Sequence, residues 1–313
     1  MTALDSQLKV FVDRLNATPV DGPPTLEERR SGALAMLPEF RGIPADDSDR
    51  MSVSSVDRRF VSDAGDVDTR VYLAEAADLR GRPTIAFIHG GGFTTGTIDS
   101  YDPDCRLLAM ELDSTVVSVG YRLAPEHPFP AGFEDCLAVA RTLRGETPGR
   151  LGIAGDSAGG NLALAVSMAM RSDDRMLDAQ LLLYPAIDPA GMDNSSYREN
   201  GSGFLLTTDD MRFYYEAYLG DSMGQHHELG APSRAASFTG LEPTVLASAG
   251  FDPLRDESRE LARRFVADDV EILYQPNPTL THGFQQLVPR IGAASKALHR
   301  AYSSFRLLLE RDS

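Results

Sequence analysis

The chain has 313 residues, of which 42% are hydrophobic and 24% charged, and a formal net charge of −16 gives it a pI of about 4.8. So acidic a protein repels phosphate backbones, which argues against nucleic-acid binding. Two cysteines are too few for a disulfide framework, and no run of 18 apolar residues predicts a membrane span. The N-terminus lacks the pattern of a secretory signal, so we expect a cytoplasmic protein.

Two helices are predicted near the N-terminus. Apolar residues recur at helical spacing within residues 4–15, which indicates an amphipathic helix. A second helix is expected to begin after Thr25, because Thr25 and Glu28 match a capping box. A loop is predicted at residues 38–49.

A hairpin and a longer strand–helix alternation follow. The turn signal "DAGD" at 63–66 separates two runs rich in β-branched and aromatic residues, which predicts a β-hairpin. Six short, nearly continuous apolar runs then suit strands buried on both faces of a parallel sheet: 83–91, 114–121, 150–156, 179–186, 243–250 and 270–276. Helical patterns lie between or after them, at 132–144, 158–171, 255–267 and 291–310. This order predicts a doubly wound α/β sheet with its site at the strands' C-terminal ends.

One insert interrupts the alternation. More than 50 residues separate the fourth apolar run from the fifth, and they contain a helical pattern with Thr207 or Thr208 as its N-cap. We predict that this insert, at about 188–235, joins the N-terminal residues 1–50 as one cap over the upper edge of the sheet. The catalytic domain is then expected to span 51–313.

The stretch "GDSAG" places Ser157 between two glycines, after an apolar run and before a helical pattern. This is the G-x-S-x-G pattern of a nucleophile elbow in its required context. The flanking glycines are needed because the serine backbone is strained and a Cβ on either side would clash. The helix that follows would favour developing negative charge. The alternative is a tight turn of small residues without catalytic meaning.

A second glycine motif, "HGGGF", ends another predicted strand. The N–H groups of Gly90, Gly91 and Gly92 could donate hydrogen bonds to an oxyanion. A dinucleotide-type phosphate loop is disfavoured, because Thr95 stands where that pattern needs glycine, and the chain contains no Gly-Lys-Ser/Thr. A plain glycine-rich turn remains the alternative.

A serine nucleophile needs a histidine base, and His282 is the best placed of six. It follows the last strand pattern and precedes the last helix, at the edge where the serine is expected. The other five fit other places better. His299 fits a helix surface, His226 and His227 lie in the insert, His89 belongs to the glycine loop, and His127 lies in a proline-rich loop. No H-E-x-x-H surrounds the two in the insert, so a zinc site is unsupported.

The acid that orients this histidine should also follow a strand. Asp252 and Asp188 both do, and both fit the α/β-hydrolase order of serine, acid, histidine. Asp188 opens the long insert, so its position is less fixed, and we favour Asp252. Asp256 is better explained as an acidic residue in the first turn of a helix.

Five motifs in this order resemble the hormone-sensitive lipase family of α/β-hydrolases: "HGGGF", "YRLAPEHPFPA", "GDSAGGNLA", "DPLRDE" and "HGF". They span residues 89–284. The resemblance implies an α/β-hydrolase fold with an eight-stranded, mostly parallel sheet and a helical cap. It implies hydrolysis of small-molecule carboxylic esters, often with short acyl groups, and no cofactor, while the residues themselves offer no metal motif. Ser157, Asp252 and His282 fall on the family's triad positions.

The same resemblance places the oxyanion hole at the N–H groups of Gly91, Gly92 and Ala158, and dimers through the last strand and helix are common in look-alikes. The chain departs from the family in one respect, since it has no tryptophan for the cap and offers "RFYY" instead. We expect the substrate to contact five apolar and aromatic residues: Phe93, Phe204, Leu205, Phe213 and Tyr214. Hydrolysis of amides, carbamates or lactones remains an alternative, as does a non-catalytic ligand-binding hydrolase fold.

Overall fold

The computed structural model of the protein describes residues 3–17, 22–42, 53–61, 65–74, 82–173, 177–220 and 227–311. Several predicted features lie wholly or partly outside these ranges. They are the boundary between the cap and the catalytic domain at 50/51, the first half of the turn at 63–66, and residues 221–226 of the insert with His226.

The described residues form one eight-stranded sheet, built from β1 (Val53–Phe60), β2 (Val67–Ala74), β3 (Thr84–Ile88), β4 (Thr115–Gly120), β5 (Leu151–Asp156), β6 (Ala179–Leu183), β7 (Thr244–Phe251) and β8 (Ile272–Thr281). The spatial order is β1-β2-β4-β3-β5-β6-β7-β8. The hairpin β1–β2 is antiparallel, β2 pairs antiparallel with β4, and the remaining pairs are parallel. The predicted eight-stranded, mostly parallel sheet is confirmed.

The described helices are α1 (Ser6–Asn16), α2 (Leu26–Arg41), α3 (Asp102–Leu112), α4 (Ala131–Glu146), α5 (Ala158–Met170), α6 (Ser195–Asn200), α7 (Thr208–Leu219), α8 (Arg255–Ala267) and α9 (Gly292–Glu310). Both predicted N-caps are present, at Thr25 for α2 and at Thr207 for α7. Helices α3 and α6 are additional to the predicted patterns. Among the described helices, none is both long and apolar enough to cross a bilayer.

The predicted start of the loop at Pro38 is wrong, because α2 continues through Pro38 to Arg41, while residues 43–49 of that loop lie outside the described residues. The proline removes one helical hydrogen bond, but the last turn has other contacts. The Arg41 guanidinium forms a buried ion pair with Asp104 and donates to the Ser100 carbonyl oxygen at 3.2 Å. Gly42, at φ +66°, then ends the helix in the left-handed conformation that glycine adopts readily.

The N-terminal helices occupy two different places. Helix α1 packs on the body of the protein, because Leu8, Phe11 and Val12 are buried in the same hydrophobic cluster as α3 and α9. Helix α2 instead meets the insert, where the Arg29 guanidinium pairs with Asp210 at 2.6 Å. The N-terminal segment and the insert are therefore in contact above the sheet, while their assignment to one cap domain stays a prediction.

Candidate active site

Ser157 lies between the end of β5 and the start of α5, with φ +53° and ψ −118°. Such a conformation is sparsely populated for a non-glycine residue and persists only where the surroundings enforce it. The two flanking glycines make it possible. A Cβ on Gly155 would come within 2.3 Å of the Gly159 carbonyl oxygen, and a Cβ on Gly159 within 2.0 Å of the Ile88 carbonyl oxygen.

The structure brings together three residues that are far apart in the sequence. His282, which follows β8, has Nε2 2.9 Å from Ser157 Oγ and Nδ1 2.8 Å from Asp252 Oδ2. Asp252 follows β7 and is fully buried, and its Oδ1 accepts a hydrogen bond from the Leu254 N–H at 2.8 Å. An ionised carboxylate can only accept, so the neutral imidazole carries its proton on Nδ1 and presents the Nε2 lone pair to the serine hydroxyl.

The rival acids lie elsewhere. Asp188 Oδ1 accepts from the Ser233 hydroxyl at 3.0 Å, and Asp256 lies in the first turn of α8, where it accepts from the Ser196 N–H at 2.9 Å. Neither forms a hydrogen bond with His282 within the described part of the chain.

His89 and His299 lie where the sequence predicts them, at the glycine loop and on a helix surface. His89 is buried beneath the glycine loop and stacks on Tyr121 with ring centroids 4.4 Å apart. Burial lowers the pKa of His89 to about 4, because it disfavours the charged imidazolium. The imidazole of His299 is exposed and pairs with Glu111 on the surface.

The three consecutive glycines differ in what their N–H groups contact. The N–H of Gly90 donates to Asp156 Oδ1 at 2.8 Å, so it is not free to serve as the oxyanion donor predicted from the sequence. Within the described ranges, no acceptor takes the N–H of Gly91 or Gly92, which line a cavity together with Ser157. Ala158 is the first residue of α5, so its N–H has no carbonyl partner in its own helix. Three donors thus remain beside the serine.

The cavity above Ser157 has a volume of about 370 Å³. One wall is the underside of α2, with Ala33, Leu34, Leu37 and Phe40, and Leu206 and Tyr214 contribute from the insert. Ala33, Leu37 and Phe40 recur at helical spacing, a signal that could have identified this face from the sequence. Both parts of the predicted cap therefore contribute walls to the cavity.

Of the five predicted substrate-contacting residues, Tyr214 alone lines this cavity. Phe93 turns into the core at φ +62° and stacks on Tyr218 with centroids 3.8 Å apart. Phe204 packs against Phe251 with ring centroids 5.1 Å apart, and Leu205 is partly buried against the hydrophobic cluster that contains α1, α3 and α9. Phe213 lies under the Arg29 guanidinium at 4.4 Å. In the described residues, no group of three or more His, Cys, Asp or Glu side chains could hold a metal ion.

A family model described as alpha/beta hydrolase fold matches residues 85–286. The chain belongs to this family. It is 36% identical to the carboxylic ester hydrolase LipN of Mycobacterium tuberculosis over 98% of this chain and 84% of LipN, and 32% identical to the esterase LipI of the same organism over 99% of both. A solved structure of a hyperthermophilic esterase from the archaeon Pyrobaculum calidifontis superposes with a TM-score of 0.88 at 26% identity, covering 98% of this chain and 99% of that one. The resemblance drawn from the five motifs is confirmed.

Proposed function

We propose that this chain is a serine carboxylesterase that hydrolyses small-molecule carboxylic esters through an acyl-enzyme on Ser157. The observation that carries the proposal is the bridge formed by His282, which contacts Ser157 Oγ at 2.9 Å and Asp252 Oδ2 at 2.8 Å. This geometry is that of a nucleophile, a base and the acid that orients the base. The names of the relatives, carboxylic ester hydrolase and esterase, support the same reaction class.

The chemistry follows from these positions. As Ser157 Oγ forms a bond to the ester carbonyl carbon, His282 Nε2 takes the hydroxyl proton, and Asp252 stabilises the imidazolium. The N–H groups of Gly91, Gly92 and Ala158 hold the negative oxygen of the tetrahedral intermediate. The bond to the alcohol oxygen then breaks, and that oxygen receives the proton from His282. Water attacks the acyl-enzyme in the same way, releasing the acid and restoring the serine hydroxyl.

The cavity favours uncharged esters with short to medium acyl chains. Its wall from α2 is mostly apolar, and its volume of about 370 Å³ is modest for a ligand site. The cation in its lining, Arg30, is already engaged. Its guanidinium makes two bonds of 2.8 Å to Glu126 and further bonds to the Thr94 and Ala124 carbonyl oxygens. An anionic acyl group would therefore find no free partner in Arg30, and the net charge of −16 would repel it.

The test is a series of p-nitrophenyl esters of increasing chain length, assayed with the wild type and with Ser157→Ala. We expect turnover of the shorter esters by the wild type and a loss on the order of 10⁶-fold in Ser157→Ala. Ser195→Ala, an exposed serine at the start of α6, is the matched control and should retain full activity. Ester turnover that survives Ser157→Ala would refute the assignment, and ligand binding without any turnover would favour a receptor.

Location and assembly belong to the same proposal. We place the protein in the cytoplasm, supported by its two buried free cysteines, and cell fractionation tests this.

A homodimer is supported by β8, which lies at one edge of the sheet and could pair with a second copy. Analytical ultracentrifugation should then give about twice the chain mass of 34.0 kDa.

A further inference from the structure

A second buried carboxylate lies beside the nucleophile and is not used in the reaction described above. Asp156 is the last residue of β5, directly before Ser157, and only 3% of it is exposed. Its Oδ1 accepts from the Gly90 N–H at 2.8 Å, and its Oδ2 accepts from the Tyr101 hydroxyl at 3.2 Å. The carboxylate thus joins the strand that carries the nucleophile to the loop that carries the oxyanion donors.

We propose that Asp156 is a positioning residue for the oxyanion hole: it anchors Gly90, and thereby directs the N–H groups of Gly91 and Gly92 towards the reacting carbonyl. This inference rests on the proposed esterase function. Tyr101 is part of the same device, because its hydroxyl fixes the second oxygen of the carboxylate. Asp156 itself need not touch the substrate.

The glycine loop needs such an anchor. Three consecutive glycines have more backbone freedom than any other tripeptide, and Gly91 and Gly92 both have positive φ, at +113° and +59°. The N–H donors of an oxyanion hole are effective only when held in place before the reaction. A single fixed point at Gly90 therefore restricts the two residues whose N–H groups remain free.

The packing around Gly90 is specific to this role. A Cβ at Gly90 would lie 2.6 Å from Asp156 Oδ2, so the carboxylate can approach only because this residue is glycine. The Gly90 carbonyl oxygen lies 2.8 Å from His89 Nδ1, and the His89 carbonyl oxygen accepts from the Tyr121 hydroxyl at 2.9 Å. The peptide groups of Gly90 are thus held on both sides, by Asp156 through N–H and by His89 through C=O.

The ionisation of Asp156 gives this role a measurable signature. Burial raises the pKa of Asp156 to about 7, and the charge of Asp104 on α3 acts in the same direction. The Gly90 N–H, His282 and the Tyr101 hydroxyl oppose the shift. The other titratable groups around it are the phenols Tyr121, Tyr184 and Tyr302, and the buried His89 behind the loop. An ionised carboxylate binds the Gly90 N–H and the Tyr101 hydroxyl more strongly than a neutral acid or an amide does, so the hold on the loop should strengthen as the pH rises through about 7.

Two substitutions separate positioning from simple structural support. Asp156→Ala removes the anchor. Asp156→Asn keeps an oxygen for the Gly90 N–H and can donate its amide to the Tyr101 oxygen, but it cannot ionise. Asp135→Ala and Asp135→Asn are the matched controls, because Asp135 on α4 is also buried but pairs with Arg122, and neither residue lines the cavity.

The experiment measures kcat, KM and the pH profile of p-nitrophenyl acetate hydrolysis, with thermal unfolding of each variant. We expect Asp156→Ala to lower kcat by about 10²–10³-fold, the effect of losing an oxyanion donor, with KM changed less than about threefold. Asp156→Asn should have a kcat at least about tenfold higher than that of Asp156→Ala. Its pH profile should lack one ionisation near pH 7. The Asp135 variants should change the melting temperature without this change in kcat.

Three outcomes would overturn the proposal: a kcat for Asp156→Ala within about threefold of the wild type, an asparagine variant no better than the alanine variant, or an unchanged pH profile in Asp156→Asn. If Asp156→Ala does not fold, two other measurements still test the proposal. One is the pH profile of Asp156→Asn, and the other is kcat of Tyr101→Phe, which we expect to be several-fold below that of the wild type. Wild-type turnover that is lost in Ser157→Ala establishes the esterase independently, so a failure of the Asp156 variants is distinguishable from a failure of the proposed function.

Discussion

The carboxylate of Asp252 lies 2.8 Å from His282 Nδ1, whereas Asp188 bonds to Ser233. Because Asp252 alone of these two can fix the imidazole tautomer, Asp252→Asn should lower kcat by about 10⁴-fold. Asp188→Asn is the matched control and should retain kcat within about threefold. The measurement is steady-state hydrolysis of a p-nitrophenyl ester, and equal losses in the two variants would contradict the assignment of the acid.

The elbow glycine Gly159 gives a prediction about folding of the site. A Cβ at this position would lie 2.0 Å from the backbone oxygen of Ile88, so β3 and α5 would have to separate. We expect Gly159→Ala to destabilise the protein by several kcal/mol and to abolish esterase activity, as overpacking of a tightly packed contact does. Thermal unfolding and ester turnover measure the two effects.

The control for Gly159→Ala is Gly32→Ala. Gly32 lies in the interior of α2, and nothing lies within 4 Å of a Cβ built there. Alanine has a higher helix propensity than glycine by about 1 kcal/mol, so this variant should be no less stable than the wild type. A fully active Gly159→Ala protein would show that the elbow can adapt to a side chain.

The sequence predicts the sheet and the three bridged residues well for a physical reason. Strands buried in a parallel sheet need continuous apolar runs, which makes the sheet visible in the sequence. Parallel strands also bring their C-terminal ends to one edge, so the position of a residue that directly follows a strand can be predicted. Asp252 and His282 are such residues. The ambiguity between Asp252 and Asp188 remained because both follow strands, and only the packing of the insert separates them.

The features that the sequence does not predict depend on contacts between distant segments. Gly90 looks equivalent to its two neighbours until Asp156, 66 residues later, takes its N–H. Phe93 looks like a pocket residue because it follows the glycines, but its positive φ turns the ring onto Tyr218. Helix α2 passes Pro38 because Arg41 reaches a buried carboxylate on α3. Each outcome is decided by a partner that local patterns do not reveal.

Glu257 provides a prediction about the pH dependence of stability. It is buried on α8, where one oxygen accepts from the Ile187 and Asp188 N–H groups at 2.9 Å and the other from the Tyr197 hydroxyl at 3.0 Å. Burial raises the pKa of Glu257 to about 8, against roughly 4.3 in an unfolded chain. Between about pH 4.3 and pH 8, Glu257 is ionised in the unfolded chain but stays protonated in the folded protein. The stabilising contribution is therefore complete below about pH 4.3 and is lost as the pH rises through about 8.

Glu257→Gln should remove this dependence, because the amide cannot ionise. We expect the wild type to lose up to about 1.4 kcal/mol more of its free energy of unfolding per pH unit than the variant between pH 5.5 and 8. Urea unfolding at these two pH values measures the difference. Glu260→Gln, an exposed residue of the same helix, is the control and should follow the wild type. Parallel curves for Glu257→Gln and the wild type would show that Glu257 is already ionised in the folded protein.

Arg29 connects the two parts of the predicted cap and should control chain-length preference. Its side chain is 8% exposed, pairs with Asp210 at 2.6 Å, and lies over the rings of Phe213 and Tyr214. Since Tyr214 lines the cavity, Arg29→Met should loosen the wall formed by α2 and α7 while keeping its apolar contacts.

We expect Arg29→Met to raise KM for a hexanoate or longer ester by about tenfold, equivalent to about 1.4 kcal/mol, and to leave kcat for the acetate ester nearly unchanged. The reason is that a long acyl chain uses the wall of α2, whereas an acetyl group ends close to Ser157. Arg58→Met is the control, because Arg58 forms an exposed ion pair with Glu146, and such pairs contribute little. Values of kcat and KM across the ester series measure the effect. An unchanged KM for long esters in Arg29→Met would mean that contact between α2 and α7 does not set the length of the acyl site.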